Sequence, residues 1–447
     1  MTTIRLSLSH ISTKGVAHKF TFYVTCRYDQ KTISLESIQI VRFELSDLEG
    51  LKERVKEAVE EQRERLFEVS NWLYENPELG SEEFKAAELL TSILEEHGFR
   101  VERGLLGMPT AFCAGFRGKG DGPRVAVLAE YDALPGVGHG CGHNLIAASA
   151  IGAGIAASRV VDEMDGKVLV VGTPAEEGRG LSGGSKVIMA NNGFWDDIDA
   201  AVMLHPSTRY SVGGRSLGIW IVKMEFEGQT SHAAASPHEG INALNAAALA
   251  YMATHMLRQE ARRDANLVIH GIISEGGLAS NIIPDRAVCD FGVRSSDDAY
   301  LEEMVGKVAR CAEGAAIATG ARVRVTKRKL YSEKKINEPL VEVLWNNYAS
   351  LGVEMSHWKE TINGMPMAST DFGDVSQRIP TAGSNIKIAE PGTPSHSRQM
   401  ADASVTPEGL EAMIVGTKAL AMTLIELLAE PQKLKQVRDY FERHHDN

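Results

Sequence analysis

Cysteine is scarce and scattered in this chain, which has five cysteines among its 447 residues. No two of them show the Cys-x-x-Cys spacing of a redox or zinc motif, and an odd number cannot pair completely. A disulfide framework is therefore not expected, and a reducing compartment, the cytoplasm, is the expected location.

Basic clusters and long apolar runs are also missing. The net charge is −12, and no run of Lys and Arg forms the basic face that nucleic acid or an anionic membrane would require. The nearest apolar run, residues 145–158, is rich in Ala and Gly and is shorter than the ~20 residues of a membrane span. We therefore expect a buried helix there, and neither nucleic acid nor a membrane as a partner.

Acidic residues are absent before Asp29. The Ser, Thr and scattered basic residues of positions 1–28 are typical of an organelle transit peptide. Alternating apolar residues at positions 20–24 and 33–40 equally predict added strands, and an upstream start codon would also explain the segment. We therefore treat residues 1–45 as an N-terminal extension of unclear role.

Regular helix and strand signals begin near residue 46. Asp47 is the predicted N-cap of a long amphipathic helix that ends at Pro77, and a second helix is predicted from Ser81 to Gly98. Short apolar runs, each followed by an acid or a histidine, then occur at positions 124–129, 167–171, 198–204 and 385–388. Such runs predict buried strands of a largely parallel sheet, whose carboxyl ends border the ligand crevice in open α/β folds.

A different pattern occupies residues 217–328. Strands and helices follow one another there in the order β-α-β-β-α-β, with helices predicted over 240–262 and 298–318, which is the ferredoxin-like arrangement. Because the first pattern resumes afterwards, we predict a small α+β domain inserted into a larger α/β domain. The larger domain would comprise residues 46–216 and 329–447.

Cys141 and His143 stand two residues apart among glycines that let the backbone bend closely around an ion. Both side chains are ligands of zinc-like divalent ions, although a lone cysteine is as often a small buried hydrophobe. Glu176 and Glu177 follow a predicted strand, and they are either solvated or divided between metal binding and general-base catalysis. The residues alone leave these alternatives open.

Short motifs that carry such residues occur in a fixed order: Glu130-Tyr-Asp-Ala-Leu-Pro-Gly136, Gly140-Cys-Gly-His-Asn144, Pro174-Ala-Glu-Glu177, Leu204-His205, Ser231-His232-Ala233, Asn281-Ile-Ile-Pro-Asp285, Ser369-Thr-Asp-Phe372 and Pro394-Ser-His396. Over about residues 50–430, their order and spacing resemble the aminoacylase/carboxypeptidase-like dinuclear metallopeptidases. The match is to the amidohydrolase branch that includes aminobenzoyl-glutamate hydrolases and β-alanyl-dipeptide hydrolases.

The resemblance implies an α/β metal-binding catalytic domain, an inserted ferredoxin-like lid and dimerisation domain, and a homodimer. It also implies hydrolysis of the amide bond to an amino acid in N-acyl amino acids or dipeptides. Two divalent metal ions per subunit are implied, and zinc, manganese and cobalt all suit the mixed donors. The implied ligands are Cys141, His143, Glu177, His205 and His396. Glu176 would be the general base that takes a proton from water and returns it to the leaving amine.

Some positions depart from the family pattern. Relatives in other branches have His where this chain has Glu130, so a first histidine ligand is missing. Asp132 is expected to assist catalysis by orienting a metal-bound imidazole. Asn144 stands where many members have Asp. Ser185 interrupts the usual Gly-Gly-Lys before Lys186, and the sequence offers no interpretation of that change.

Four further residues, none of them an implied metal ligand, are candidates for the functional site. The resemblance assigns His232 to stabilisation of the oxyanion in the partner subunit's site, whereas the residues alone predict a capping or packing histidine. Asn281 and Arg294 would hold the substrate backbone and carboxylate, although a surface salt bridge is the alternative for Arg294. Asp371 is either an acid behind the ligands or a helix cap, and we do not count it as a ligand.

The leading prediction is a metal-dependent amidohydrolase or dipeptidase. One alternative is an N-carbamoyl amino acid hydrolase with the same fold. The other is a catalytically silent relative that binds acylated amino acids. The presence of Glu176, His232 and the complete ligand set argues against the silent relative, because binding alone has no need of them.

Overall fold

The computed structural model describes residues 2–11, 17–26, 35–361 and 368–445, with side chains for residues 48–361 and 368–444. The chain forms two compact units, Met1–Gly50 and Leu51–Asn447. The strands in the described residues are β1 Thr2–Ile11, β2 Ala17–Cys26, β3 Arg100–Arg103, β4 Phe112–Arg117, β5 Arg124–Ala129, β6 Lys167–Gly172, β7 Ala200–Ser207, β8 Ser211–Val212, β9 Gly218–Glu227, β10 Val268–Glu275, β11 Arg286–Ser295, β12 Arg322–Tyr331 and β13 Thr381–Lys387.

Helices connect most of these strands. Those in the described residues are α1 Leu35–Glu61, α2 Arg63–Glu75, α3 Phe84–Glu96, α4 His143–Val161, α5 Ser185–Asn191, α6 Ala243–Met256, α7 Asp298–Thr319, α8 Glu338–Ser350, α9 Trp358–Thr361, α10 Phe372–Ser376, α11 Arg398–Ala403, α12 Pro407–Ala429 and α13 Pro431–His445.

The N-terminal unit contains an antiparallel hairpin in which β1 pairs with β2, from Thr2 opposite Cys26 to Ile11 opposite Ala17. Of the two strands offered as an alternative for this segment, the one at residues 20–24 is present as part of β2. The one at residues 33–40 is wrong for residues 35–40, which lie in helix α1. Position 33 lies outside the described residues. The helix predicted to start at Asp47 begins at Leu35, because the intervening sequence has no Gly or Pro to stop it.

The predicted long helix also divides into two. α1 ends at Glu61 and α2 begins at Arg63, with Gln62 as the junction. The apolar periodicity continues across this junction, because Leu66, Val69 and Leu73 of α2 are all buried. A periodicity argument therefore could not detect the break.

The larger sheet has seven strands in the order β3-β4-β6-β5-β7-β13-β8. Its four central strands, β6, β5, β7 and β13, are mutually parallel, while β4 and β8 join antiparallel to them. The predicted largely parallel sheet is therefore confirmed. The run predicted at 198–204 begins two residues later in the structure and extends past His205, and the run at 385–388 begins earlier, at Thr381.

Two apolar helices, α4 and α12, form much of the core beside this sheet. Both are long and apolar enough to cross a membrane by length and composition, but 94% and 83% of their most apolar windows are buried within the protein. Burial of this kind is what a core helix of a folded domain shows. The buried helix expected at residues 145–158 lies within α4.

The second sheet has four antiparallel strands in the order β10-β11-β9-β12, with α6 and α7 packed against it. The order β9-α6-β10-β11-α7-β12 confirms the ferredoxin-like prediction. Helix α6 is shorter than predicted, because the chain tightens into a 3₁₀ turn at Leu257–Glu260. The division of the chain into domains at residues 217 and 328 stays a prediction.

Close packing of α4 on β6 yields a stability prediction at Gly154. A Cβ atom there would lie 2.3 Å from Cγ2 of Val170, whereas a Cβ on Gly314, on the exposed face of α7, would have no neighbour within 4 Å. We expect Gly154→Ala to destabilise the protein by about 1–3 kcal/mol through overpacking. The control Gly314→Ala should stabilise it by up to about 1 kcal/mol through helix propensity.

Urea unfolding of the two variants measures both changes in parallel. An equal or greater stability of Gly154→Ala would contradict the close contact between α4 and β6.

Candidate metal centre

The candidate ligands meet at the carboxyl ends of the central strands. Glu130 and Asp132 follow β5, Glu177 follows β6, and His205 lies near the end of β7. The site opens into a cavity of about 530 Å³ between the two sheets. The candidate ligands that border this cavity are Cys141, Glu177, His205 and His396.

The loop before α4 approaches the end of β7 very closely at Gly142. This residue has a φ of 75°, and a Cβ atom on it would lie 2.6 Å from Cγ of Pro206. Glycine therefore permits both the left-handed turn and the contact. As a result, Sγ of Cys141 lies 3.3 Å from Nε2 of His205.

Two residues in the site have left-handed backbone conformations that non-glycine residues rarely adopt. Ala175 has a φ of 54° and His396 a φ of 57°. The turn at Ala175 is held by its amide, which donates to Oε1 of buried Glu83 at 2.8 Å, and the amide of His396 donates to Gly140 at 3.1 Å. Such strain is retained where the surroundings fix it, commonly at functional sites.

Ligand-type atoms form two overlapping groups of three. Cys141 lies with His143 and His205 in one group, and with Glu177 and His396 in the other, with all atoms of a group within 4.8 Å of one another. The five implied ligands are thus brought together, and Cys141 is common to both groups. Glu176 forms a further group with His143 and Glu177. The distances between these atoms therefore do not show which of the two glutamates is the metal ligand and which is the general base.

The hydrogen bonding around these atoms fits divalent metal ions. Nδ1 of His143 lies 2.8 Å from Oδ1 of Asp132, and Oδ2 of the same carboxylate accepts from the amide of Glu177 at 3.0 Å. Nε2 of His143 and Oε1 of Glu177 are buried without a hydrogen-bond partner among the described residues, and Oε2 of Glu130 and Nε2 of His396 lie 3.5 Å and 3.4 Å from them, respectively. Since buried polar atoms are normally satisfied, these two are suited to accept a cation.

A buried ion-pair network adjoins the ligands, and the sequence did not predict it. Nζ of Lys186 lies 2.8 Å from Oε1 of Glu130 and 2.6 Å from Oδ1 of Asp371. Burial would lower the pKa of Lys186, but the carboxylates of Asp371 and Glu130 outweigh it and raise that pKa above its usual value. Asp371 precedes α10 but makes no side-chain capping bond to that helix; instead, its Oδ2 accepts from the amide of Lys186, in the first turn of α5, at 3.3 Å.

Glu176 lies beside this network and forms no ion pair among the described side chains, although the charges of Lys186 and His143 act on it. Burial raises its pKa well above the usual value, and the nearby carboxylates of Glu130 and Asp371 raise it further. Its main-chain carbonyl accepts a hydrogen bond from the hydroxyl of Tyr331 at 3.1 Å. A carboxyl group with raised proton affinity is suited to receive and return a proton.

The candidate substrate residues are divided between two places. Arg294 borders the cavity and donates to Oγ of Ser369 at 3.0 Å, and no carboxylate among the described side chains pairs with it, so the salt-bridge alternative is not seen. His232 and Asn281 are exposed in the loops that connect β9 to α6 and β10 to β11, and they do not border the cavity of their own chain. They are neighbours, because the amide of Ala233 donates to the carbonyl of Asn281 at 3.0 Å.

Comparison with known proteins agrees with this arrangement. The model of the peptidase family M20/M25/M40 matches residues 126–426. The chain is 35% identical to the Xaa-Arg dipeptidase of Mus musculus over 409 residues, which are 89% of this chain and 93% of the relative.

Further relatives support the same grouping. The chain is 29% identical to a p-aminobenzoyl-glutamate hydrolase polypeptide of Escherichia coli, with 86% of this chain and 93% of that protein covered. The fold is similar to the crystal structure of a putative aminohydrolase from methicillin-resistant Staphylococcus aureus, with a TM-score of 0.72 and 19% identity over 84% of this chain and 100% of that one.

Metal content should separate the roles of the adjacent glutamates. We expect Glu177→Gln to lose bound divalent metal, because its orphaned carboxylate oxygen is the atom available to an ion. The isosteric control Glu176→Gln should retain metal nearly as well as the parent. Elemental analysis after dialysis measures both, with circular dichroism to verify folding, and the opposite pattern would exchange the two roles.

Proposed function

Because the chain belongs to the peptidase family M20/M25/M40, we propose that it is a metal-dependent hydrolase of the amide bond in N-acyl amino acids or dipeptides. The observation that carries the proposal is the convergence of two ligand groups on Cys141 at the floor of a cavity. The names of the two relatives describe bonds to an amino acid, which is arginine in one and glutamate in the other. The product released would be a free amino acid.

We propose that two divalent ions, of zinc, manganese or cobalt, bind to Cys141, His143, Glu177, His205 and His396. Cys141 belongs to both ligand groups and would therefore be within reach of either ion. When bound, such ions polarise a scissile carbonyl and acidify water. Asp132 would keep the imidazole of His143 oriented, since its carboxylate already holds Nδ1.

Glu176 supplies the proton transfers in this proposal. Its carboxylate takes a proton from the attacking water and returns it to the nitrogen of the leaving amino acid as the amide bond breaks. The Tyr331 hydroxyl, bound to the carbonyl of Glu176, restrains the main chain at that point. Arg294, which borders the same cavity, would hold the α-carboxylate of the leaving amino acid through its planar guanidinium.

A homodimer is part of the proposal, since His232 and Asn281 do not border the cavity of their own chain. The two edges of the four-stranded sheet differ in a way that supports self-association. Strand β10 leaves Val268 42% and Ile272 61% exposed, and Met252 and Met256 of neighbouring α6 are 53% and 62% exposed. The opposite edge, β12, carries charges that oppose strand pairing: Arg322, Arg324, Lys327, Arg328 and Lys329.

Substrate hydrolysis tests the function directly. We expect the protein to release an amino acid from acyl or aminoacyl substrates, to lose that activity on chelation, and to regain it with manganese, zinc or cobalt. Glu176→Gln should reduce turnover by about 10²–10⁴ while the metal remains. Amino acid release is measured by chromatography on matched acyl, aminoacyl and carbamoyl substrates.

Each other outcome supports a different function. Release from carbamoyl substrates alone would indicate an N-carbamoyl amino acid hydrolase. Binding of acylated amino acids without release, by a metal-loaded protein, would indicate a silent relative.

Mixing of two inactive variants tests whether His232 acts in the partner subunit. His232→Ala should lose about 10²–10³ in turnover with its metal intact, as removal of one oxyanion donor does. In a mixed dimer, the site of the His232→Ala subunit keeps its own Glu176 and receives an intact His232 from the Glu176→Gln subunit. Activity should therefore return at that one site. Native mass spectrometry verifies subunit exchange, and continued inactivity after complete exchange would place His232 outside the partner's site.

A further inference from the structure

The cavity above the metal centre is bordered by three cationic side chains, those of Arg215, Arg294 and Lys334. Its carboxylates, Glu176 and Glu177, both lie at the metal centre. One cation is accounted for if Arg294 binds the α-carboxylate of the leaving amino acid. Lys334 has no role in that scheme.

Lys334 lies in the connection between β12 and α8, which returns the chain from the four-stranded sheet to the seven-stranded one. Its Nζ lies 5.9 Å from the ring centre of Phe372. It also lies 3.7 Å from the point where a Cβ atom on Gly383 would stand. Gly383 thus leaves room for the ammonium beside β13, whose Asn385 pairs in register with His205 of β7.

The ammonium of Lys334 has no counter-ion among the side chains that the structure describes. Burial alone lowers its pKa, to about 8, without any contribution from a carboxylate. Its neighbour Glu333 is engaged elsewhere, since its Oε1 accepts from the amide of Asp298 at 3.4 Å. Residues 362–367, which lie outside the described part, contain no acid.

A partly buried ammonium without a partner is unfavourable, and such groups are normally paired. Since no described side chain is its counter-ion, a bound anion would satisfy it.

We propose that Lys334 forms an anion subsite for the side-chain carboxylate of the leaving amino acid, so that glutamate and aspartate are the preferred leaving residues. This inference rests on the proposed function and deepens it. Arg294 offers a planar fork to the α-carboxylate, while Lys334 offers a point charge to the second carboxylate. A basic leaving residue, as in the name Xaa-Arg dipeptidase, would instead meet like charge in this cavity.

Three dipeptides with the same acyl part separate these possibilities: alanyl-glutamate, alanyl-glutamine and alanyl-arginine. We expect kcat/KM of the parent enzyme to be at least about tenfold higher for glutamate than for isosteric, neutral glutamine, and lowest for arginine. Lys334→Met should reduce kcat/KM for the glutamate substrate by about 30-fold or more and leave the glutamine substrate nearly unchanged. Lys334→Arg should restore most of the preference.

Lys119→Met is the matched control, because it removes the same charge from an exposed loop that does not border the cavity. It should leave all three substrates unaffected. Calorimetry with free glutamate and free glutamine gives a second measurement that requires no turnover. Glutamate should bind more tightly than glutamine to the parent and to Lys334→Arg, but not to Lys334→Met.

The outcomes distinguish this inference from the proposed function. Hydrolysis of all three dipeptides with no preference for glutamate, or a preference that survives in Lys334→Met, would overturn the subsite and leave the hydrolase intact. If the parent hydrolyses no substrate of either panel under any metal, the proposed function fails and the subsite fails with it. The ratio of kcat/KM for alanyl-glutamate to that for alanyl-glutamine in the parent enzyme tests the preference for glutamate even if a variant does not fold.

Discussion

The carboxylate of Asp132 holds two parts of the candidate metal centre together. One oxygen lies 2.8 Å from Nδ1 of His143 and the other accepts from the amide of Glu177 at 3.0 Å, so a single buried group connects the ends of β5 and β6 with the start of α4. Burial opposes the charge on Asp132, but His143 overcomes it and keeps its pKa below the usual value. The free atoms of both ligands are thereby directed to the same space.

A second buried network lies directly behind the first and sets the electrostatics of Glu176. Lys186 is shared between Glu130 and Asp371, which leaves two acids for one cation. The remaining negative charge disfavours ionisation of Glu176, in addition to its burial. Breaking a buried pair costs about 3–5 kcal/mol, because it leaves an uncompensated charge. The network therefore fixes the position of these acids and gives Glu176 the proton affinity that a shuttle needs.

The two sheets contribute different parts of the proposed active site. The end of the seven-stranded sheet and its adjoining loops provide the candidate ligands and Glu176, while β11 provides Arg294 to the cavity and the loop between β9 and α6 carries His232 elsewhere. The proposed homodimer, in which a second chain completes the site, would account for this division, and the exposed apolar residues at the β10 edge would suit its interface. The connections between the sheets also matter, because Lys334 and Tyr331 lie in or next to one of them.

The sequence by itself determined the parallel sheet, the ferredoxin-like order and the set of candidate ligands. Apolar runs and motif spacing are local properties, and strand ends of a parallel sheet must meet at one edge. It could not determine the start of α1 or the break at Gln62, because neither changes the apolar periodicity. Only the tertiary structure decided that Lys186 lies between Glu130 and Asp371, and that Lys334 borders the cavity. Each is a single lysine whose surroundings come from segments distant in sequence, and the cost of burying its charge becomes evident only once those elements have packed.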